Sequence, residues 1–181
     1  MKVEERKKLH LGEYPTPLEY MGNLTKKYGK GKLYIKRDDI AGPAFGGNKT
    51  RKLEYIMQEA VEEGYTAMLT VGGPQTNHGK TTVAAAVKLG LKPILVLGGK
   101  APDYLSGNLT LDAMMGADIV FAGDDMPGAV KATIERYEKQ GDKVYNLPAG
   151  GTAMTGVAGY IMAVPELMKQ LEEQDIHPKY L

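Results

Sequence analysis

Lys49 is the residue in this sequence best suited to covalent chemistry. Two glycines, Gly46 and Gly47, precede it and let the backbone approach a ligand closely. Arg51 and Lys52 follow it, and nearby cations disfavour an ammonium. A lysine amine kept neutral is a nucleophile that forms an imine with a carbonyl. The second candidate stretch is Gly72-Gly-Pro-Gln-Thr-Asn-His-Gly79, between an apolar run and an alanine-rich one. A glycine turn opening a helix presents free N–H groups to an anion. Gln75, Thr76 and Asn77 are then placed to contact a ligand held near Lys49, and His78 to carry a proton near neutrality. The same residue types also fit a surface lysine at a helix start, a helix capped by Thr76 or Asn77, and a solvated histidine. Asp38 and Asp39 are poor partners for one site, because adjacent strand residues face opposite ways. They read instead as a strand end, with one carboxylate pairing Arg37 or Arg51.

Other chemistries lack their residues. There is no cysteine, hence no disulfide, thiolate metal site or thiol nucleophile. His10, His78 and His177 show no metal-ligand spacing, so no metal is expected. The P-loop, the dinucleotide-binding Gly-x-Gly-x-x-Gly and the Gly-x-Ser-x-Gly elbow are all missing. A net charge of +1 gives no reason to expect a nucleic-acid or membrane partner. The charged first eight residues lack the apolar core of a signal peptide, and no apolar run is long enough to span a bilayer. A cytoplasmic enzyme is the expectation.

The elements that must hold these residues alternate. Residues 1–12 read as a short polar helix or an arm, and Tyr14-Pro-Thr-Pro17 as an extended connection. Leu18 to Leu24 precedes a polar loop over 25–32, and Leu33–Lys36 is a strand. Leu53, Ile56, Met57, Ala60 and Val61 recur at helical spacing, giving a helix over 49–63 that stops at Gly64. Strands follow at 67–71, 93–97, 118–121 and 143–147, separated by helices at 77–89, 104–115 and 127–139. A last helix covers 155–173, mildly interrupted at Pro165. This alternation predicts an α/β fold: a three-layer unit on a parallel sheet, with ligands at the carboxyl ends of its strands. Residues 1–47 and the last helix do not fit the repeat and belong to another layer or domain.

Taken together, several blocks resemble a known family. They are Lys36-Arg-Asp-Asp39, Gly46-Gly-Asn-Lys-Thr-Arg-Lys-Leu-Glu-Tyr55, Gly72-Gly-Pro-Gln-Thr-Asn-His78, Ala84-Ala-Ala86 and Lys88-Leu-Gly90. Tyr14-Pro-Thr-Pro-Leu18, Pro148-x-Gly-Gly-Thr152 and Gly159-Tyr160 add to them. In this order they are similar to the D-cysteine desulfhydrase and 1-aminocyclopropane-1-carboxylate deaminase family. Those are pyridoxal-phosphate enzymes of the tryptophan-synthase-β-like fold (fold type II). The resemblance implies that Lys49 binds pyridoxal 5′-phosphate covalently and later acts as a base. It implies that Asn77 bonds the ring hydroxyl oxygen and that Asn48 helps fix lysine and cofactor. Thr76 stands where many members carry a serine that contacts the substrate carboxylate or assists proton transfer, and Gln75 and His78 line the same pocket. The reaction implied is a β-elimination on a small amino acid such as D-cysteine, or alternatively deamination of 1-aminocyclopropane-1-carboxylate. Three segments are expected: 1–48 as the N-terminal part of a large domain, 49–150 as a small α/β domain, and 151–181 as a return helix into the large domain. Members are about twice this long, and no second glycine-rich phosphate cup occurs in 1–181. The chain therefore reads as an N-terminal half that works as a homodimer or with a C-terminal half chain, or else as a non-catalytic α/β module.

Overall fold

A computed structural model describes residues 5–181. Its centre is a four-stranded parallel sheet in the order β5-β4-β3-β6. The strands are β3 (Ala67–Gly72), β4 (Lys92–Leu97), β5 (Asp118–Phe121) and β6 (Val144–Leu147). Period-two alternation sorts their side chains into two layers. Ala67 and Leu69 of β3, with Ile94 and Val96 of β4, face one way and pack under Met126, Ala129, Val130 and Ile134 of α5 (Met126–Glu138). Met68, Leu95, Leu97 and Leu147 face the other way. There they meet α2 (Thr50–Glu62), α3 (Asn77–Lys88) and α4 (Gly107–Met114) through Leu53, Ile56, Met57, Val83, Ala85 and Leu109. The expected three-layer parallel α/β unit is what forms.

The chain steps outward from β3 to β4 to β5, then returns to place β6 on the far side of β3. A right-handed crossover that reverses direction must use the opposite face, which is why α5, alone among the described helices, covers that side. The reversal makes the carboxyl end of β3 a switch point, where open sheets of this kind hold ligands. The loops after β3 and β6 both arrive there.

Outside the sheet, β1 (Leu18–Tyr20) and β2 (Tyr34–Lys36) form an antiparallel pair. The helix α6 (Met154–Glu173) lies along α2. Gly159 permits that approach, because a Cβ there would sit 2.2 Å from the Arg51 carbonyl oxygen.

Four expectations change. The loop expected from Thr25 is helical: α1 spans Gly22–Tyr28 and ends on a left-handed Gly29, which supplies the C-cap. The helix expected at 104–115 starts at Gly107, for Ser106 is extended. Pro165 does not break α6, whose later turns are anchored through Glu166 and Gln170 to Lys36 and Thr16. Of the helix or arm expected over 1–12, residues 1–4 lie outside the described residues, and 7–11 form no regular element.

One buried ion network joins these layers. Arg51, 5% exposed, donates to both carboxylate oxygens of Asp38 at 2.8 and 2.9 Å and to both of Glu166 at 2.8 and 3.0 Å. Lys36 also pairs with Glu166, and Thr16 donates to Asp38. Burial alone would raise both carboxylate pKa values, but the hydrogen bonds from Arg51 and its neighbours outweigh it and hold them below the usual range. Removing one member of a buried ion network leaves uncompensated charge, at a cost of about 3–5 kcal/mol. Arg51→Met is expected to lose that much stability in urea denaturation at neutral pH, and a loss under 1 kcal/mol would contradict the role given to this network.

Candidate active site

Lys49 sits at the entry to α2 in right-handed helical geometry, without a side-chain cap. Its ammonium nitrogen donates to Asn48 Oδ1 at 2.6 Å. The Lys49 pKa is lowered, first by partial burial and then by the Lys52 charge. Arg51, expected to add to that repulsion, turns inward to Asp38 and Glu166 instead. Of the Asp pair, Asp38 takes Arg51 and Asp39 takes Arg37, so both are paired where one was expected, and they lie in a short 3-10 turn after β2 rather than in the strand. The turn that delivers Lys49 is held by Gly46, whose positive φ of 56° suits glycine and where a Cβ would meet the Ala41 carbonyl oxygen at 2.3 Å.

The turn after β3 starts α3. Thr76 is its N-cap and accepts from the Gly79 N–H at 3.1 Å, leaving its own hydroxyl hydrogen free. The first-turn N–H groups of Asn77 and His78 have no partner within the helix. The 46–49 turn packs beside this helix start, where Thr81 Oγ1 lies 3.5 Å from the Gly46 carbonyl oxygen. Around the crevice, a Cβ at Gly47 or Gly73 would meet nothing within 4 Å, so both glycines border open space.

His78 is not solvated. It is 5% exposed, and its Nε2 lies 2.9 Å from Thr70 Oγ1. The Thr70 hydroxyl has one hydrogen, and the Leu147 carbonyl oxygen, 3.0 Å away, can only accept it. Thr70 Oγ1 thus bridges the Nε2 side of the imidazole and the end of β6, and the other ring nitrogen is Nδ1. That Nδ1 is buried without a hydrogen-bond partner. Burial first, then the charges of Lys49 and Lys52, lower the His78 pKa to about 4, and the nearby Pro148 carbonyl opposes this only weakly. The imidazole is neutral at pH 7 instead of titrating near it.

Of the residues singled out in the sequence, Asn48, Lys49, Thr76, Asn77 and His78 are drawn to the two neighbouring turns. Gln75 turns the other way. Its Nε2 donates to the Ser106 carbonyl and its Oε1 accepts from the Asn108 N–H, both at 2.9 Å. Two residues escaped the sequence reading. Thr70 was visible as the one polar residue in an apolar strand. Asn108, whose Nδ2 donates to Asn77 Oδ1 at 3.0 Å, carried no signal, because its role depends on a partner 31 positions away. Among the described residues no cluster of three or more His, Asp or Glu side chains could hold a metal, and no helix is long and apolar enough to cross a membrane.

The residues present fit pyridoxal phosphate. They offer an amine whose charge is disfavoured, a carboxamide and helix N–H donors for oxygen acceptors, and open space bordered by glycine. Comparison with known proteins agrees. A model of the family described as pyridoxal-phosphate dependent enzymes matches residues 9–180. The chain is 38% identical over 173 residues to a D-cysteine desulfhydrase of Salmonella typhi, covering 92% of this chain and 52% of that protein. It is 39% identical over 168 residues to a Thermotoga maritima protein provisionally named a 1-aminocyclopropane-1-carboxylate deaminase, covering 91% and 53%. The crystal structure of an ACC deaminase homologue superposes with a TM-score of 0.83 at 38% identity, covering 93% of this chain and 52% of that one. The diaminopropionate ammonia lyase of Escherichia coli, at 19% identity and a TM-score of 0.63, shares the fold. The chain spans about half the length of the relatives it matches. With a lysine at the mouth of a switch-point crevice and a match over nearly its whole length, this chain belongs to the pyridoxal-phosphate dependent enzymes of fold type II.

Proposed function

We propose that this chain is the N-terminal half of a pyridoxal-phosphate dependent lyase acting on a small amino acid, by β-elimination of the kind that converts D-cysteine to pyruvate, sulfide and ammonia. The observation that carries this reading is Lys49, its pKa lowered, placed beside the start of α3. When bound, pyridoxal phosphate supplies an electron sink for the pair left on Cα as its C–H bond breaks. Lys49 binds the cofactor covalently and afterwards takes the Cα proton on its amine. Asn48, which accepts from Nζ, steers that amine. The Thr76 hydroxyl and the N–H groups at the start of α3 receive the substrate carboxylate. His78, neutral at pH 7, braces Thr70 and the end of β6 and leaves proton transfer to Lys49. In D-cysteine the departing group is the β-sulfur, which leaves as Cα loses its proton. The name of the Thermotoga relative favours 1-aminocyclopropane-1-carboxylate as the alternative substrate.

In this reading 49–150 is a small domain, while 1–48 and 151–181 are parts of a larger one. The outer side of α6 supports that division. Val157, Ile161, Val164 and Met168 are 46–58% exposed and recur at helical spacing, an apolar stripe that a C-terminal half or a second copy would cover. The same stripe supports a second reading, a non-catalytic module that pairs through α6.

Two measurements test the site. Pyridoxal 5′-phosphate is titrated into the chain mixed with the C-terminal half of the Salmonella typhi desulfhydrase as a separate polypeptide. The expected results are a cofactor absorbance band that Lys49→Ala abolishes and sulfide release from D-cysteine. Absence of the band would sink the lyase reading, and a band without sulfide would sink D-cysteine as substrate.

The second concerns His78. Its folded pKa of about 4 lies below the ordinary 6.5, so between those values the unfolded chain holds more protons. The stability conferred by neutral His78 is therefore complete above about pH 6.5 and is lost as pH falls toward 4. The stability difference between wild type and His78→Gln is expected to shrink by about 2–3 kcal/mol from pH 7 to pH 4.5. A constant difference would contradict the buried neutral imidazole.

A further inference from the structure

We propose that Asn108, at the start of α4, is a positioning residue that fixes the direction of the Asn77 carboxamide, so that the crevice is offered its NH2 and not its carbonyl. The proposal rests on the reading of the crevice as the cofactor site, where an NH2 donor matches an electron-rich acceptor oxygen of the phenolate class.

The orientation follows from partners whose roles are not in question. The Gln75 backbone carbonyl can only accept, and it lies 2.9 Å from the side-chain amide of Asn108, so the atom facing it is Nδ2. The same Nδ2 donates its second hydrogen at 3.0 Å to Asn77. The Asn77 atom facing it must then be Oδ1. A carboxamide has two ends, so Asn77 Nδ2 is turned away from α4. Asn77 is exposed, and its NH2 has no hydrogen-bond partner among the described residues.

Asn108 is itself held from two sides. The Ser106 side chain makes no cap bond, although it occupies the N-cap position of α4. The Gln75 carboxamide replaces it, accepting the Asn108 N–H and donating to the Ser106 carbonyl, each at 2.9 Å. These two backbone groups fix the ends of Gln75 as firmly as the Gln75 carbonyl fixes those of Asn108. Gly107 makes room for the arrangement: its φ is +55°, and a Cβ there would come within 2.4 Å of Gln75 Oε1. Four hydrogen bonds thus lock the β3–α3 turn to α4, and the lock ends on one amide whose direction decides what the crevice presents. Among the described residues the Asn108 side chain bonds only the Gln75 carbonyl and Asn77, so any effect it has on the crevice passes through Asn77.

Two readouts separate this proposal from the site reading. The first is solvent exchange of side-chain amide hydrogens by NMR, with no cofactor added. In wild type, the Asn108 NH2 is expected to exchange slowly and the Asn77 NH2 at the rate of a free amide. In Asn108→Asp, which can only accept, the Asn77 amide should reverse, slowing its exchange several-fold and moving its proton resonances downfield. A protected Asn77 NH2 in wild type, or no change in the variant, overturns the proposal. The second is pyridoxal 5′-phosphate affinity, measured with the same C-terminal half present. Asn108→Asp is expected to weaken it about tenfold or more, and Asn108→Ala by about three- to tenfold. Asn108→Ala keeps the backbone N–H that Gln75 caps, so its helix content and melting should stay near wild type while affinity falls. Unchanged affinity in both variants overturns the proposal. If wild type takes up no cofactor at all, the site reading fails, and the exchange measurement still decides what Asn108 does.

Discussion

The Arg51 guanidinium is the constraint on which the positions of the other parts depend. It is the first charged residue inside α2, and almost all of its side chain is buried. Such a group is stable in the interior only when its donors are met by charge and geometry together. Asp38 arrives from just after β2, Glu166 from α6, and Thr16 from the arm before β1, so three separate segments must converge to satisfy one side chain. The ring of Tyr14 lies 4.3 Å from the guanidinium carbon and closes another side. Glu54, one turn further along α2, repeats the device by accepting the Leu11 and Gly12 N–H groups and pairing with Lys8. Both groups act from the helix that begins beside Lys49. The position of Lys49 is therefore set by electrostatics behind it, while its own surroundings stay open.

This arrangement separates two kinds of positive charge that sit close in sequence. Arg51 is neutralised inside, so it adds little to the crevice. Among the described residues Lys52 pairs with no carboxylate, its amine lying only at the long distance of 3.4 Å from the Gly150 carbonyl. The crevice then carries Lys49, Lys52 and the partial positive charge at the start of α3. The neutral His78 adds no further cation. An anion entering there meets a concentrated field, and a lysine amine in that field loses its proton more readily than one in water.

Much of this was legible in the sequence, and the boundary of legibility is physical. The sheet and helices of 50–147 followed from alternation, helical spacing and glycine stops, because burial of whole faces dominates those choices. Lys49 and the turn after β3 stood out because glycine and polar residues interrupt that pattern. What failed were features decided by a distant partner. His78 is buried only because Thr70 and the end of β6 make a place for it. The start of α4 waits for Gln75. Arg51 looked like a second charge beside Lys49 until Asp38 and Glu166, the latter 115 positions away, drew it inward. A helix formed over 22–28 where composition suggested a loop, helped by a left-handed glycine and by the Thr25 hydroxyl taking the Leu33 N–H.

The two sides of the crevice are built on different principles, and that difference bears on how the site works. The α3 side is locked: Thr76 caps its own helix, Asn108 and Gln75 tie the turn to α4, and His78 joins it through Thr70 to β6. The Lys49 side is tied down at its base but not at its tip, where among the described residues the amine bonds only Asn48. In the role proposed for Lys49, bonding a ligand and later releasing it, that freedom helps, because each rigid contact to the amine would have to break in turn. Groups that only orient a ligand gain from being fixed beforehand, since no ordering cost then falls on binding. The distribution of hydrogen bonds across the crevice matches that division, with fixed donors on the helix side and, facing them, a lysine whose amine bonds only Asn48 among the described residues.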